Sequence, residues 1–313
     1  MQQTAREAEA QAIGEKKVKD LMKDNKRLVE VPYSASLAHT MNVLVANRVV
    51  AVPVAAPPGQ WIGAGGSMIM ETDKQTGVLR KHYIGMVTML DILAHIAGEE
   101  DGPGLVDLER KMAVPVSSII GNNVEGLSLW TLSPNTSVLE CMELFSMGIH
   151  RAMVPIDGEA AGVELVKSAS SYRMLTQMDV LRFLSQQIPE MQQTLGQSVK
   201  EMGAINENVM AITDKTKVIE AIKCMKSSFL NATALEFTET IGKSVLLEGT
   251  TAGGRELVTC GEESSMKEVM EKVVSKHVHR IWVTDEHGLL LGLISLSDMI
   301  RAIRVSLLSQ IQT

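Results

Sequence analysis

Three times along this chain a Ser or Thr is followed, three residues on, by an Asp at the end of an apolar stretch. The copies are Gly85-Met86-Val87-Thr88-Met89-Leu90-Asp91-Ile92, Met174-Leu175-Thr176-Gln177-Met178-Asp179-Val180 and Gly292-Leu293-Ile294-Ser295-Leu296-Ser297-Asp298-Met299. Each has the pattern of a buried strand running into a helix, which leaves a hydroxyl and a carboxylate at the helix N-terminus. The plainest chemistry for the pair is capping, because both groups accept hydrogen bonds from the orphan N–H groups of a first turn. The alternative is contact with a ligand, by Thr88 and Asp91, Thr176 and Asp179, and Ser295, Ser297 and Asp298. One copy signals only a cap, whereas three in similar contexts form an internal repeat. A second set recurs in register: His150-Arg151 and His279-Arg280 each open an apolar strand. That recurrence favours ligand or interface contact over two solvated strand ends.

The elements that would hold these residues follow a common order. Residues 4–23 read as a helix leading into a first unit. A short strand at Val29–Pro32, a helix over Ser36–Asn47 and an apolar strand at Val49–Val54 come next. After a Gly/Pro-rich insert, a strand at Tyr83–Thr88 runs into a helix over Leu90–Ile96. The second unit repeats this with a strand at Leu127–Leu132, a helix over Val138–Met147, strands at His150–Ile156 and Tyr172–Thr176, and a helix over Met178–Ser185. The last unit has a strand at Leu257–Cys260, a helix over Ser264–Ser275, a hairpin of Val278–Thr284 with Leu290–Ser295 turning at Asp285-Glu286-His287-Gly288, and a helix over Ser297–Leu308. One such unit is too small to close a core and requires a neighbour.

The spacing is uneven. Asp91 and Asp179 lie 88 residues apart, Asp179 and Asp298 lie 119 apart. A unit start sits in the wider gap, with Asn208–Thr216 as strand and helix start and Val218–Lys226 as helix. No second strand or cassette follows before Gly254, so a third unit reads as truncated. The expected domains are 13–98, 112–188, a truncated 205–245, and 246–313. A truncated partner would leave the fourth unit with exposed apolar surface.

Composition narrows the classes. An apolar share of 45% and a charged share of 21% are those of a folded protein. A net charge of −7 argues against a nucleic-acid surface. Cys141, Cys224 and Cys260 are odd in number and far apart, which suits buried thiols in a reducing compartment. The N-terminal residues lack the pattern of a secretory leader. The charge-free run Val49–Met70 is broken by Pro53, Pro57, Pro58 and several glycines, so no membrane span is expected there. Gly63-Ala64-Gly65-Gly66 lacks the Lys of a phosphate-cradling loop. His277, His279 and His287 have no metal-site spacing, and no metal is expected. No nucleophile with an oriented base is present, which argues against an enzyme.

The units resemble the cystathionine-β-synthase (CBS) domain, a β-α-β-β-α unit paired head to tail as a Bateman module. The implied fold is α+β: tandem CBS units forming two Bateman modules, the second incomplete. Four units without a catalytic domain, together with Leu235-Glu236-Phe237, Gly254-Arg255-Glu256-Leu257-Val258-Thr259-Cys260 and His279-Arg280-Ile281-Trp282-Val283, are similar to the gamma subunits of the AMP-activated and sucrose-non-fermenting-related protein kinases, plant type. The resemblance implies a non-catalytic regulatory subunit in energy and carbon-status signalling. Its partners would be a kinase catalytic (alpha) subunit and a beta-type subunit, with no nucleic acid and no membrane, in cytoplasm or nucleus. It implies no required cofactor, with AMP, ADP or ATP as regulatory ligands. Cassette hydroxyls and carboxylates would meet phosphate and ribose, and His150, Arg151, His279 and Arg280 would meet phosphate, which a helix N-terminus and an Arg fork both favour. In the first unit the basic position is held by Val50, with Arg48 two residues away on the same side of the strand. The first pair of units is therefore expected to hold the more intact pocket, through Asp91, His150, Arg151, Thr176 and Asp179. The alternatives are a structural scaffold or shortened isoform without nucleotide sensing, and a regulatory fragment of a metabolic enzyme.

Overall fold

Ser36, Ser137 and Ser265 each end an extended segment, and each side chain accepts a hydrogen bond from the N–H three residues on. Those caps start the first helix of three units. The computed structural model describes residues 2–22, 28–56, 61–62, 68–69, 83–98, 105–121, 129–155, 172–209, 212–213, 215–217, 220–222 and 257–309. The insert at 55–77 lies largely outside this set, as do Cys224, most of Val218–Lys226 and the segment in which the third cassette is missing.

The expected opening helix is split into α1 (Gln2–Glu15) and α2 (Val18–Leu21). The first unit then runs β1 (Val31–Pro32), α3 (Leu37–Asn47), β2 (Ala51–Ala55), the small hairpin β3 (Trp61–Ile62) and β4 (Met68–Ile69), β5 (Tyr83–Thr88) and α4 (Met89–Ala97). A linker helix α5 (Leu105–Ala113) leads to the second unit: α6 (Val138–Ser146), β6 (Arg151–Pro155), β7 (Tyr172–Thr176) and α7 (Gln177–Gln186). A short α8 (Gln192–Leu195) precedes the last elements, β8 (Thr259–Cys260), α9 (Met266–Lys276), β9 (Arg280–Thr284), β10 (Leu290–Ser295) and α10 (Leu296–Leu308). The strand expected at Leu127–Leu132 is reduced to a bridge from Thr131 to Met153. Within Asn208–Thr216 the described residues carry no strand; the sheet contact lies earlier, where Asn206 pairs with Leu293.

Three units share the same sheet among the described residues: a short parallel edge, a central strand and its antiparallel hairpin partner. The orders are β1-β2-β5 and β8-β9-β10, and Thr131 supplies the parallel edge to the β6-β7 pair. Register fixes the equivalences. Ala51 faces Thr88, Arg151 faces Thr176 and Arg280 faces Ser295.

The units are tied together by exchanged linkers. Lys17, ahead of the first unit, bridges Ser137 at the helix cap of the second. Pro115, ahead of the second, bridges Ser36 at the cap of the first. The Val18 N–H donates to Thr136 O at 2.9 Å, and Val116 N–H to Ala35 O at 2.7 Å. Ser198 makes the same bridge to Ser265, and Met266 N–H donates to Gln197 O at 2.9 Å. Tyr83 and Tyr172 meet edge to face between the first two units, with ring centroids 5.9 Å apart.

Two cores result. Val31, Leu37, Leu44, Val52, Val87 and Ile92 fill the first unit alone. The larger core joins the second and last units with α1 and includes Ile13, Phe145, Leu181, Met270, Ile300 and Leu307. There α6 packs on α10 and α7 on α9. On the face of α10 that meets the second unit the expected exposure is not found, since Met299, Ile300 and Ile303 are fully buried, whereas Val305 and Leu257 of the last unit stay exposed.

Candidate functional site: a cationic centre between two helix N-termini

Each cassette is first of all a helix cap. Thr88 Oγ1 accepts from Asp91 N at 3.2 Å and donates to Asp91 Oδ2 at 2.7 Å, while Thr88 N also donates to Oδ2 at 2.8 Å. Thr176 with Asp179 and Ser295 with Asp298 repeat this arrangement, with hydroxyl–carboxylate distances of 2.6 Å in both. The hydroxyl proton and one carboxylate oxygen are thus committed locally. What remains to face outward from each cap is Oδ1 of the Asp. In the second unit Arg182 stands 3.6 Å from that oxygen of Asp179. In the last unit Arg301 stands 2.7 Å from that of Asp298. The equivalent position in the first unit is Ala94.

Asp91 and Asp298 are buried and Asp179 is half-buried. Ser297 faces elsewhere: its hydroxyl accepts a 2.7 Å hydrogen bond from Nε2 of the buried Gln177, which also donates to Phe145 O at 3.0 Å. Ser297 therefore joins the second unit to the last.

The basic pairs converge. His150-Arg151 begin the central strand of the second unit and His279-Arg280 that of the last, and the contact between those units brings them into one electrostatic neighbourhood. Partial desolvation, and then the charges of Arg151, His150 and Arg280, hold His279 below its ordinary imidazole value. Beside the start of these strands, at the end of the neighbouring strand, lie the caps of α7 and α10, since Arg151 pairs with Thr176 and Arg280 with Ser295. The four basic side chains stand beside two helix N-termini, each of which already holds its own Asp carboxylate offset by Arg182 or Arg301, and such a cluster suits an anion such as a phosphate.

The first unit departs from this pattern. Strand register makes Val50 equivalent to His150 and His279, and Ala51 equivalent to Arg151 and Arg280. Arg48 is not on the strand, contrary to the sequence reading. It is the left-handed C-cap of α3, with φ 53°, at the place that Gly148 and His277 take in the other units. Its side chain leaves from a helix end, so β2 carries no cation toward the centre.

A family model for the CBS domain matches residues 254–305. The chain is 52% identical to the Arabidopsis thaliana protein SNF1-related protein kinase regulatory subunit gamma-like PV42a, over 92% of this chain and 95% of that one. It is 46% identical to PV42b of the same plant, over 94% and 96%. The chain belongs to the SNF1-related protein kinase regulatory gamma-like subunits. The crystal structure of protein MJ1225 from Methanocaldococcus jannaschii, 16% identical, shares the fold, with a TM-score of 0.60 over 91% of this chain and 99% of that one. The fold is thus that of tandem CBS units, and this gamma-like family is one of regulatory chains rather than catalytic ones.

For a gamma-like subunit, two features of the site were not legible as sequence. The exchanged linkers leave no motif beyond a Ser at each helix cap. The convergence of the two His-Arg pairs depends on α6–α10 and α7–α9 packing, which pairs units that are not neighbours in the sequence. Among the described residues no cluster of three His, Cys, Asp or Glu could hold a metal, and no helix is long and apolar enough to cross a membrane.

Proposed function

We propose that this chain serves as the gamma-type subunit of an SNF1-related kinase, joins a catalytic alpha subunit and a beta-type subunit, and binds an adenine nucleotide at its cationic centre. The observation that carries the reading is that Arg151, His150 and Arg280 lie within electrostatic reach of His279, beside the caps of α7 and α10. A phosphate at that point would engage the two guanidinium forks. The Oδ1 atoms of Asp179 and Asp298 would offer acceptors for ribose hydroxyls once Arg182 and Arg301 turn toward phosphate. The ligand would act on a partner kinase only by favouring one conformation of the complex over another.

The truncated third unit remains part of this proposal. The alignment with PV42a extends over 345 positions although the chain has 313 residues, which supports a relative that carries additional internal sequence. The Ser198–Ser265 bridge supports a unit start just after residue 200, since Lys17 stands in the same relation to the second unit.

The test is calorimetric titration and thermal shift with AMP, ADP and ATP. Binding should be weakened about tenfold or more by Arg151→Gln or Arg280→Gln, in keeping with the loss of a charge-assisted phosphate contact. The absence of any heat or shift at millimolar nucleotide would end the nucleotide reading. The scaffold reading, favoured by the neutral Val50-Ala51 of the first unit, would then stand if the chain still captured the alpha and beta subunits.

A further inference from the structure

Helix caps place the three units in register and expose one difference among them. Counting from the first-helix cap, Met41 corresponds to Met142 and Met270. Counting from the second-helix cap, Leu93 corresponds to Leu181 and Ile300, and Ile96 to Leu184 and Ile303. All six counterparts are 0% exposed, because α6 covers α10 and α7 covers α9. Met41, Leu93 and Ile96 are only half-buried, and nearby Val45 is 64% exposed. The linker helix α5 packs along one side of α3 and α4 and does not bury these positions.

The same face is unusual in charge. From Leu37 to Asn47 α3 has no Lys, Arg, Asp or Glu, and α4 has only Asp91, which is buried in its cap. Helices that face water carry polar or charged residues on that side. The helices of the other units carry charge: Glu140 on α6 and Arg301 on α10 are exposed, and even at the contact of the two helices Arg304 pairs with Glu143. An uncharged helix pair can lie against its own copy without like-charge repulsion.

The occupant is indicated by the fold itself. Where the second unit meets the last, first helix packs on second helix and second on first, a reciprocal contact of one kind of face with another copy of that face. Such a contact is two-fold in form and therefore self-complementary. We infer that α3 and α4 of the first unit form the same contact with α3 and α4 of a second copy of this chain, giving a homodimer. The inference rests on the truncated third unit, whose closing helix would otherwise be the counterpart of α10 on this face.

The experiment is light scattering after size exclusion, on the whole chain at micromolar to tens of micromolar concentration. The expected result is twice the 34.0 kDa chain mass. Leu93→Lys and, independently, the surface change Val45→Glu should return the chain mass with an unchanged far-ultraviolet dichroism spectrum. A wild-type chain at the chain mass throughout would overturn the inference, as would a dimer that survives both substitutions. A monomeric wild-type chain that Leu93→Lys unfolds would overturn it in favour of coverage by the chain's own residues. None of these results bears on nucleotide binding, which has its own test.

Discussion

His279 shows how a single residue can report the state of the centre. Its imidazole is held below its ordinary value of 6.5 by partial desolvation and by Arg151, His150 and Arg280. The unfolded chain therefore takes up the proton first as pH falls. The contribution to stability is intact above about pH 6.5 and is lost as pH drops toward the lower folded-state value. A proton NMR titration should place the His279 midpoint below that of a model peptide. Arg151→Gln should move it up, and a bound polyphosphate should move it further. The buried thiols give a second check. Desolvation pushes Cys141 up to about 12 and Cys260 up to about 11. Neither should react with a thiol reagent at pH 8 in the folded protein, and both should react in denaturant.

At the scale of elements, the cassettes were legible because S/T-x-x-D is a local pattern and the helix start follows from it. Thr88→Ala removes a cap acceptor and should cost about 1 kcal/mol. Asp91→Ala also strands the Thr88 N–H and hydroxyl in a buried place and should cost more, about 1–3 kcal/mol by chemical denaturation. Gly292 is a different kind of element-scale constraint. A Cβ there would stand 2.7 Å from Asn206 O, where the segment after α8 lies on β10. Gly292→Ala should therefore destabilise the protein by about 1–3 kcal/mol, as other overpacking does. The sequence showed a glycine opening two cassettes but not the backbone that approaches this one. Arg48 was misread for a related reason. Two-residue periodicity was applied to a position that the turn after α3 had already taken off the strand.

For the whole molecule, the repeat and its strand–helix order could be read from sequence, while the partnership of the second unit with the last could not. That contact is made by side chains on helices far apart in the chain, and any apolar helix face would satisfy the same pattern. The shared core predicts that Ile300→Ala, at the centre of the inter-unit contact, should cost about 2–5 kcal/mol. It should also loosen the cationic centre, so that anion affinity falls although no basic residue is changed.

The exchanged linkers impose a timetable on synthesis. The Ser36 cap can receive its linker only after Pro115 has emerged, and Lys17 waits for Ser137. Helix α1 has the longest wait, because it packs on α10. At about 5–20 residues per second, the part of α1 that meets α10 stays uncovered for tens of seconds on a translating ribosome, although α6 and α8 reach the helix earlier. A nascent chain halted before Leu296 should therefore expose α1 to proteases and to chaperones that hold apolar segments, and release of the last helix should end that exposure.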